Sequence, residues 1–219
     1  MLTIACVLRL SKDYDIAYVH ELHEAIETHV HEPYDFVCLT DAPIRTNRIK
    51  LEHDWPGWWA KMEVFKLPGP VLYIDLDTMP VADLTEITGQ AFKNRFTVLR
   101  DFYNQTRIAT GLMAWNGDMS SLYENFARDP EKYIRGKQLG RGDQWPVEDN
   151  TVACHFWQDV VPGQVVSFKA DCLPKGEVPK GARIVCFHGR PRPRDIQWNL
   201  GCLSELKGRA PTTRILSGA

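Results

Sequence analysis

Apolar and polar positions along the chain alternate between two periods. Short apolar runs at residues 3–10, 35–40, 71–75, 96–99, 112–115, 165–169 and 184–187 have the length and the β-branched and aromatic content of strands. Between the first two, Ile16, Val19, Leu22 and Ile26 recur at helical spacing as far as about His29, with Asp13 or Asp15 where a helix cap belongs. Residues 41–56 are polar and predict irregular chain. Residues 58–67 predict a short helix stopped by Pro68-Gly69-Pro70. Two further helices are predicted over 119–127 and 144–157, with Pro146 fitting the first turn of the second. Strands alternating with helices from the start predict an α/β protein with a layered sheet. After Pro191 the chain turns basic and proline-rich, and residues 200–219 predict a loose tail.

The 219 residues suffice for one α/β domain with a substantial core. A net charge of −2 gives no broad electrostatic attraction to nucleic acid. The longest apolar runs fall far short of the roughly 20 residues that span a bilayer. Arg9 interrupts the first apolar run and no basic leader precedes it, so no signal peptide is expected. The six cysteines form no Cys-x-x-Cys pair, which argues against a zinc ribbon. Cys6, Cys38 and Cys186 read as small buried hydrophobes, and the set predicts reduced thiols and a cytoplasmic protein.

The most informative stretch is Leu72-Tyr73-Ile74-Asp75-Leu76-Asp77, an apolar run ending in two carboxylates. Strand side chains two apart share a face, so Asp75 and Asp77 are expected to converge at the carboxyl edge of the sheet, where open α/β proteins bind ligands. Clustered carboxylates repel one another, and a divalent cation relieves that repulsion. His188 ends the later apolar run Val185-Cys186-Phe187 and makes a third candidate ligand beside Gly189. Two carboxylates and an imidazole suit Mn²⁺ or Mg²⁺ better than structural zinc. Lys61 falls on the same helical side as Trp58 and Phe65, where it either snorkels to water or aims at an anion. Asp143 is either a helix cap or, after Gly142 and beside Gln144, a group near a ligand. Arg190, Arg192 and Arg194 form either a solvated turn or a clamp on phosphate oxygens. The Trp55, Trp58 and Trp59 cluster is core or lid. His20-Glu21-Leu22-His23-Glu24 lacks the spacing of a zinc protease motif and reads as ion pairs on a wet face.

In this order, the first strand with Ser11 and Tyr14 after it, Lys61, Asp75-Leu76-Asp77, Arg100-Asp101, Thr110-Gly111-Leu112-Met113, Gly142-Asp143-Gln144 and His188-Gly189-Arg190-Pro191-Arg192-Pro193 resemble a glycosyltransferase of GT-A fold. The group most similar is family 8, that of glycogenin and the galactosyltransferases. The resemblance spans roughly residues 3–194. It implies a single glycosyltransferase domain with a mixed, mostly parallel central sheet flanked by helices. Residues 1–100 would form the nucleotide-binding half and 101–195 the acceptor half. It implies a metal-dependent, hexosyltransferase-like enzyme that retains configuration. A nucleotide-diphosphate sugar, a UDP-sugar by default, would be the donor, and a glycan, protein or small molecule the acceptor. Asp75, Asp77 and His188 would bind Mn²⁺ or Mg²⁺. Leu8, Ser11 and Tyr14 would border the nucleotide, with Arg192 as diphosphate clamp. Lys61 and Asp101 would face the donor phosphate or sugar, and Asp143 and Gln144 the reacting carbon. The chain departs from the family pattern at four residues. Gly189 follows the histidine directly, Arg192 stands where the lysine would be and Arg194 where the tryptophan would be, and Ala109 stands where an asparagine is usual.

Two other functions fit parts of the pattern. Asp75-Leu76-Asp77-Thr78 after an apolar strand also matches the first motif of haloacid-dehalogenase-like phosphatases, with Asp75 as nucleophile. That motif usually opens its domain, whereas about seventy residues precede it here. A non-catalytic sugar-nucleotide-binding protein is the third possibility.

Overall fold

Residues 2–8 are apolar at nearly every position, the pattern of a strand covered on both faces. They form β1 (Leu2–Leu8), an interior strand of the main sheet. The structure is a computed structural model that describes residues 1–137, 139–151 and 153–196. The predicted tail and Cys202 lie outside the described residues. The other strands are β2 (Tyr34–Thr40), β3 (Arg48–Ile49), β4 (Val71–Ile74), β5 (Thr78–Pro80), β6 (Thr97–Arg100), β7 (Ile108–Trp115), β8 (His155–Phe156), β9 (Val165–Ser167) and β10 (Ile184–Cys186). The helices are α1 (Ile16–His29), α2 (Thr85–Gln90), α3 (Ser120–Arg128), α4 (Pro130–Ile134), α5 (Gln144–Asn150) and α6 (Trp157–Val160).

The main sheet has seven strands in the order β3-β2-β1-β4-β7-β6-β8. β1, β2, β3 and β4 run parallel, β7 is antiparallel to β4 and β6, and β8 is parallel to β6. This is the mixed, mostly parallel, helix-flanked sheet that the resemblance implies. The chain leaves β1 toward β2 on one side and later returns to β4 on the other. The carboxyl ends of β1 and β4 therefore diverge into a crevice at the topological switch point. A smaller sheet, β5-β10-β9, lies beside it.

One core layer joins α1 to the sheet through Val19, Leu22 and Ile26. Asp15, rather than Asp13, caps α1, accepting from the Ala17 amide at 3.0 Å. The opposite layer holds Trp59, Phe65, Trp115 and Phe126.

Several predicted elements change in the structure. The expected helix at 58–67 is a 3₁₀ helix, Gly57–Lys66, and it buries nearly everything from Trp59 to Phe65. The expected helix over 144–157 ends at Asn150. There Asn150 Nδ2 donates to the Pro146 carbonyl at 2.7 Å and Thr151 Oγ1 to the Val147 carbonyl at 2.6 Å, and Thr151 turns to extended backbone. The strand at 165–169 stops at Ser167, where the Ser167 hydroxyl accepts from the Ala170 amide and starts a short helical turn. The polar segment 41–56 contains the two-residue β3. Among the described residues no helix is long and apolar enough to cross a membrane. The five described cysteines are free, and all but Cys154 are buried.

Candidate active site

A cavity of about 600 Å³ opens at the crevice between the ends of β1 and β4. That size falls within the usual range for a small-molecule site. Its wall includes Ser11, Tyr14, Lys61, Asp75, Asp77, Asp101, Asp143, Gln144, His188 and Arg192. Ten of the eleven residues singled out from the sequence thus face one space.

β4 ends at Ile74, so Asp75 and Asp77 stand on the turn after it and not within a pleated strand as expected. The turn is fixed at both ends. The Asp75 amide donates to the Gly111 carbonyl at 2.9 Å, and the Thr78 amide to the Asp75 carbonyl at 3.0 Å. The two carboxylates consequently reach different partners. Lys61 Nζ donates to Asp75 Oδ2 at 2.9 Å, and the Tyr73 hydroxyl donates to Asp75 Oδ1. The Tyr14 hydroxyl donates to Asp77 Oδ2 at 2.8 Å.

Lys61 also reaches Asp143 Oδ2 at 2.8 Å, and the Thr110 hydroxyl donates to the same oxygen. Lys61 is buried, so the snorkelling alternative does not hold. Asp143 stands at the start of α5 but makes no side-chain cap bond, so its carboxylate belongs to the cavity floor. Burial alone would favour loss of the Lys61 proton. The carboxylates of Asp143 and Asp75 outweigh that and hold the ammonium above its usual range. Burial pushes Asp75 up to about 6, with Asp77 and Asp143 adding to the rise and Lys61 opposing it. Three carboxylates around one ammonium leave the floor short of positive charge.

His188 arrives through the small sheet. Cys186 is in register with Thr78, and the Phe187 amide donates to the Asp77 carbonyl at 3.0 Å, so the residue after Phe187 emerges beside Asp77. The His188 imidazole lies 2.6 Å from the Ser167 hydroxyl and stacks on Phe102, with ring centroids 5.3 Å apart. Burial, with Lys169 next, lowers its pKa and favours the neutral ring that a metal ligand requires. Among the described residues, no three His, Cys, Asp or Glu side chains are gathered tightly enough to enclose an ion. Asp75, Asp77 and His188 share the cavity wall without forming a closed cage. The donor set still suits a hard divalent cation, because Lys61 is the one ammonium shared by Asp75 and Asp143 beside Asp77, and burial favours the neutral imidazole.

The structure corrects Leu8. Its side chain is fully buried in the core, and the alternation of β1 turns Val7 and Arg9 to the cavity instead. Asp101 lines the cavity, but its Oδ1 accepts from the Tyr103 and Asn104 amides, both at 2.8 Å, and so also shapes its own loop. The tryptophans separate. Trp55 and Trp59 are core, while Trp58 is 55% exposed at the cavity rim. Its indole lies against Gly142, whose φ of +57° favours glycine and where a Cβ would meet the ring at 3.1 Å. Tyr73 and Thr110 carry no role from sequence. Tyr73 could have been found as the residue two before Asp75 in the same apolar run. Thr110 enters the sequence pattern only within Thr110-Gly111-Leu112-Met113, with no role attached.

No protein-family model and no curated protein matches the chain by sequence. Solved structures do match by shape. The apo structure of the bifunctional glycosyltransferase WbbM superposes with a TM-score of 0.63 at 12% identity, covering 96% of this chain and 50% of WbbM. The apo-form glycosyltransferase GlyE of Streptococcus pneumoniae TIGR4 gives 0.61 at 14% identity, covering 90% of this chain and 56% of GlyE. The galactosyltransferase LgtC, in complex with donor and acceptor sugar analogs, gives 0.58 at 13% identity, covering 97% of both chains. This chain therefore spans about half the length of WbbM and GlyE and nearly all of LgtC. At such low identity the likeness concerns architecture: the chain has the GT-A-like fold of sugar-transferring enzymes.

Proposed function

We propose that the protein transfers a hexose from a nucleoside-diphosphate sugar, UDP-linked by default, to an acceptor hydroxyl with retention of configuration. The observation that carries this reading is the cavity floor, where Lys61 lies between Asp75 and Asp143 with Asp77 and His188 beside them. In this reading the half around residues 1–100 takes the nucleotide and that around 101–195 the acceptor. Asp75, Asp77 and His188 hold Mn²⁺ or Mg²⁺, which when bound supplies Lewis-acid neutralisation of the diphosphate.

The chain's own groups do the rest. Tyr14 and Ser11 border the nucleotide. Lys61 and Arg192 place positive charge where negative charge grows as the bond from the anomeric carbon to the phosphate oxygen breaks. Asp143 is tied to Lys61 and Thr110, which suits a positioning group better than a mobile base. Asp143 and Gln144 orient the sugar. The acceptor oxygen forms the new bond, and its proton passes to the departing phosphate.

The phosphatase alternative loses ground. Its nucleophile would be Asp75, which is locked to Lys61 and Tyr73 at the end of an interior strand between β1 and β7. A thermal-shift panel of nucleotide sugars with Mn²⁺, Mg²⁺ or chelator tests the donor, because binding by mass action raises the melting temperature. Anomer analysis of the transfer product by NMR tests the stereochemistry, and an inverted bond rejects it. Donor binding with no transfer across a broad acceptor panel would leave the non-catalytic alternative standing.

A further inference from the structure

Arg192 reaches the cavity wall incompletely satisfied. Its side chain is 12% exposed and pairs with Asp13 Oδ1 at 2.9 Å. The guanidinium lies 4.5 Å from the ring centroid of Tyr14, whose hydroxyl holds Asp77. Its Nε is buried with no hydrogen-bond partner. The same Asp13 oxygen also takes Arg190 Nη2 at 2.8 Å. One carboxylate oxygen is thus shared by two arginines, and the Arg192 fork, bonded to Asp13 and Tyr14, leaves its Nε without an acceptor. A buried N–H without an acceptor is costly, which points to an anion with several oxygens as the missing partner.

We propose that Asp13 is an internal stand-in for the donor diphosphate. It parks Arg192 beside the cavity and is exchanged for phosphate oxygens when a nucleoside diphosphate enters. This rests on the donor reading above and adds a competitor built into the chain. The exchange does not require the loop to leave. Arg194 stays on Asp15 at 3.1 Å and on Glu21 at 3.1 Å, Arg190 keeps Asp195 at 3.0 Å, and the Arg192 amide donates to Asp195 at 2.9 Å. Only the Arg192 side chain has to turn. Asp13 therefore holds donor affinity down, and deleting its charge should raise it.

Calorimetric titration of the full chain with UDP, inorganic pyrophosphate and uridine, all with Mn²⁺, tests the exchange. Asp13→Asn should tighten UDP and pyrophosphate about fivefold, the scale of one ion pair that keeps contact with solvent through its carboxylate, and leave uridine unchanged. Arg192→Gln should weaken both phosphate ligands about tenfold, and in that background Asp13→Asn should have no further effect. An Asp13→Asn protein with unchanged or weaker phosphate affinity, or an equal gain for uridine, overturns the exchange and leaves the donor reading intact. Wild-type protein that binds pyrophosphate but no nucleoside diphosphate overturns the donor reading and leaves the exchange to stand on the pyrophosphate arm. Binding of neither overturns both.

Discussion

Two groups of ion pairs meet at the cavity, and their bond lengths hardly differ. On the floor, Lys61 holds Asp75 and Asp143 at 2.9 and 2.8 Å. At the mouth, Arg190, Arg192 and Arg194 hold Asp13, Asp15, Glu21 and Asp195 at 2.8–3.1 Å. What differs is water. Lys61 is almost wholly enclosed at 7% exposure, Arg192 follows at 12%, and Arg190 and Arg194 are 63% and 42% exposed. In a low-dielectric interior, removing one member of a pair strands the other's charge, while on the surface solvent takes its place. The floor is thus a fixed electrostatic frame, and the mouth grades from the largely enclosed Arg192 to contacts at Arg190 and Arg194 that solvent can replace. The same division suits a site that must hold reacting groups still and yet admit a large anionic ligand.

Replacing Lys61 should test this division most severely. Lys61→Met leaves Asp75 and Asp143 facing each other without a cation. Breaking a buried pair costs about 3–5 kcal/mol. In a chain of this length that should lower the melting temperature by roughly 10 °C. Transfer activity should fall at least about a hundredfold, since a preorganised positive group near developing charge is typically worth that much. Thermal melts and a transfer assay read both. A drop of only a degree or two would put floor and mouth in the same class and remove the basis of the comparison.

The acidic pair should give a smaller effect of opposite sign on stability. In the presence of chelator, burial keeps the Asp75 carboxyl near 6 in the folded protein, against 3.8 ordinarily. The folded state then binds the proton more tightly than the unfolded state does. Its contribution is therefore present at low pH and lost as pH rises through about 6. Metal-free wild-type protein should lose stability between about pH 4 and pH 6.5, and Asp75→Asn should lack that slope. At neutral pH the metal-free Asp75→Asn and Asp77→Asn proteins should melt at or above the wild-type temperature. Mn²⁺ should raise the melting point of the wild type and of neither variant. A Mn²⁺ shift that survives both substitutions would move the metal away from this pair.

Much of the frame was legible because it rests on local pattern. The apolar run before Asp75-Leu76-Asp77 gave β4, and the run before His188 gave β10. Lys61 stood out as a charge among apolar neighbours. The misreadings came where side chains fold back on the backbone or where a strand's parity matters. Asn150 and Thr151 close α5 through their own hydrogen bonds, which the apolar pattern beyond them hides. Leu8 and Arg9 differ by one step of the pleat, and that step decides which of them meets the cavity. The two aspartates sit on a turn, so strand alternation gave their meeting place for the wrong reason. Asp13 pairing with Arg190 and Arg192 joins residues nearly the whole chain apart. The loops after β1 and β10, from different sheets, bring them together, and the arginine run does not announce which carboxylate it meets.

The smallest effect belongs to Arg194, and it tests whether the mouth is as exchangeable as the exchange at Arg192 requires. Arg194→Gln removes contacts to Asp15 and Glu21 but leaves Asp15 free to cap α1 through the Ala17 amide. Exposed pairs of this kind contribute under about 1 kcal/mol, so the melting temperature should fall by no more than roughly 3 °C. Salt should narrow even that gap, because screening at about 1 M acts over only about 3 Å. The loss in Lys61→Met should persist in the same salt, since its charges are out of reach of the solvent. If Arg194→Gln instead cost as much as the lysine change, the loop carrying Arg192 would be part of the rigid frame. Asp13 could then not be released from Arg192 by a side-chain turn alone, and the proposed exchange would require unfolding the loop.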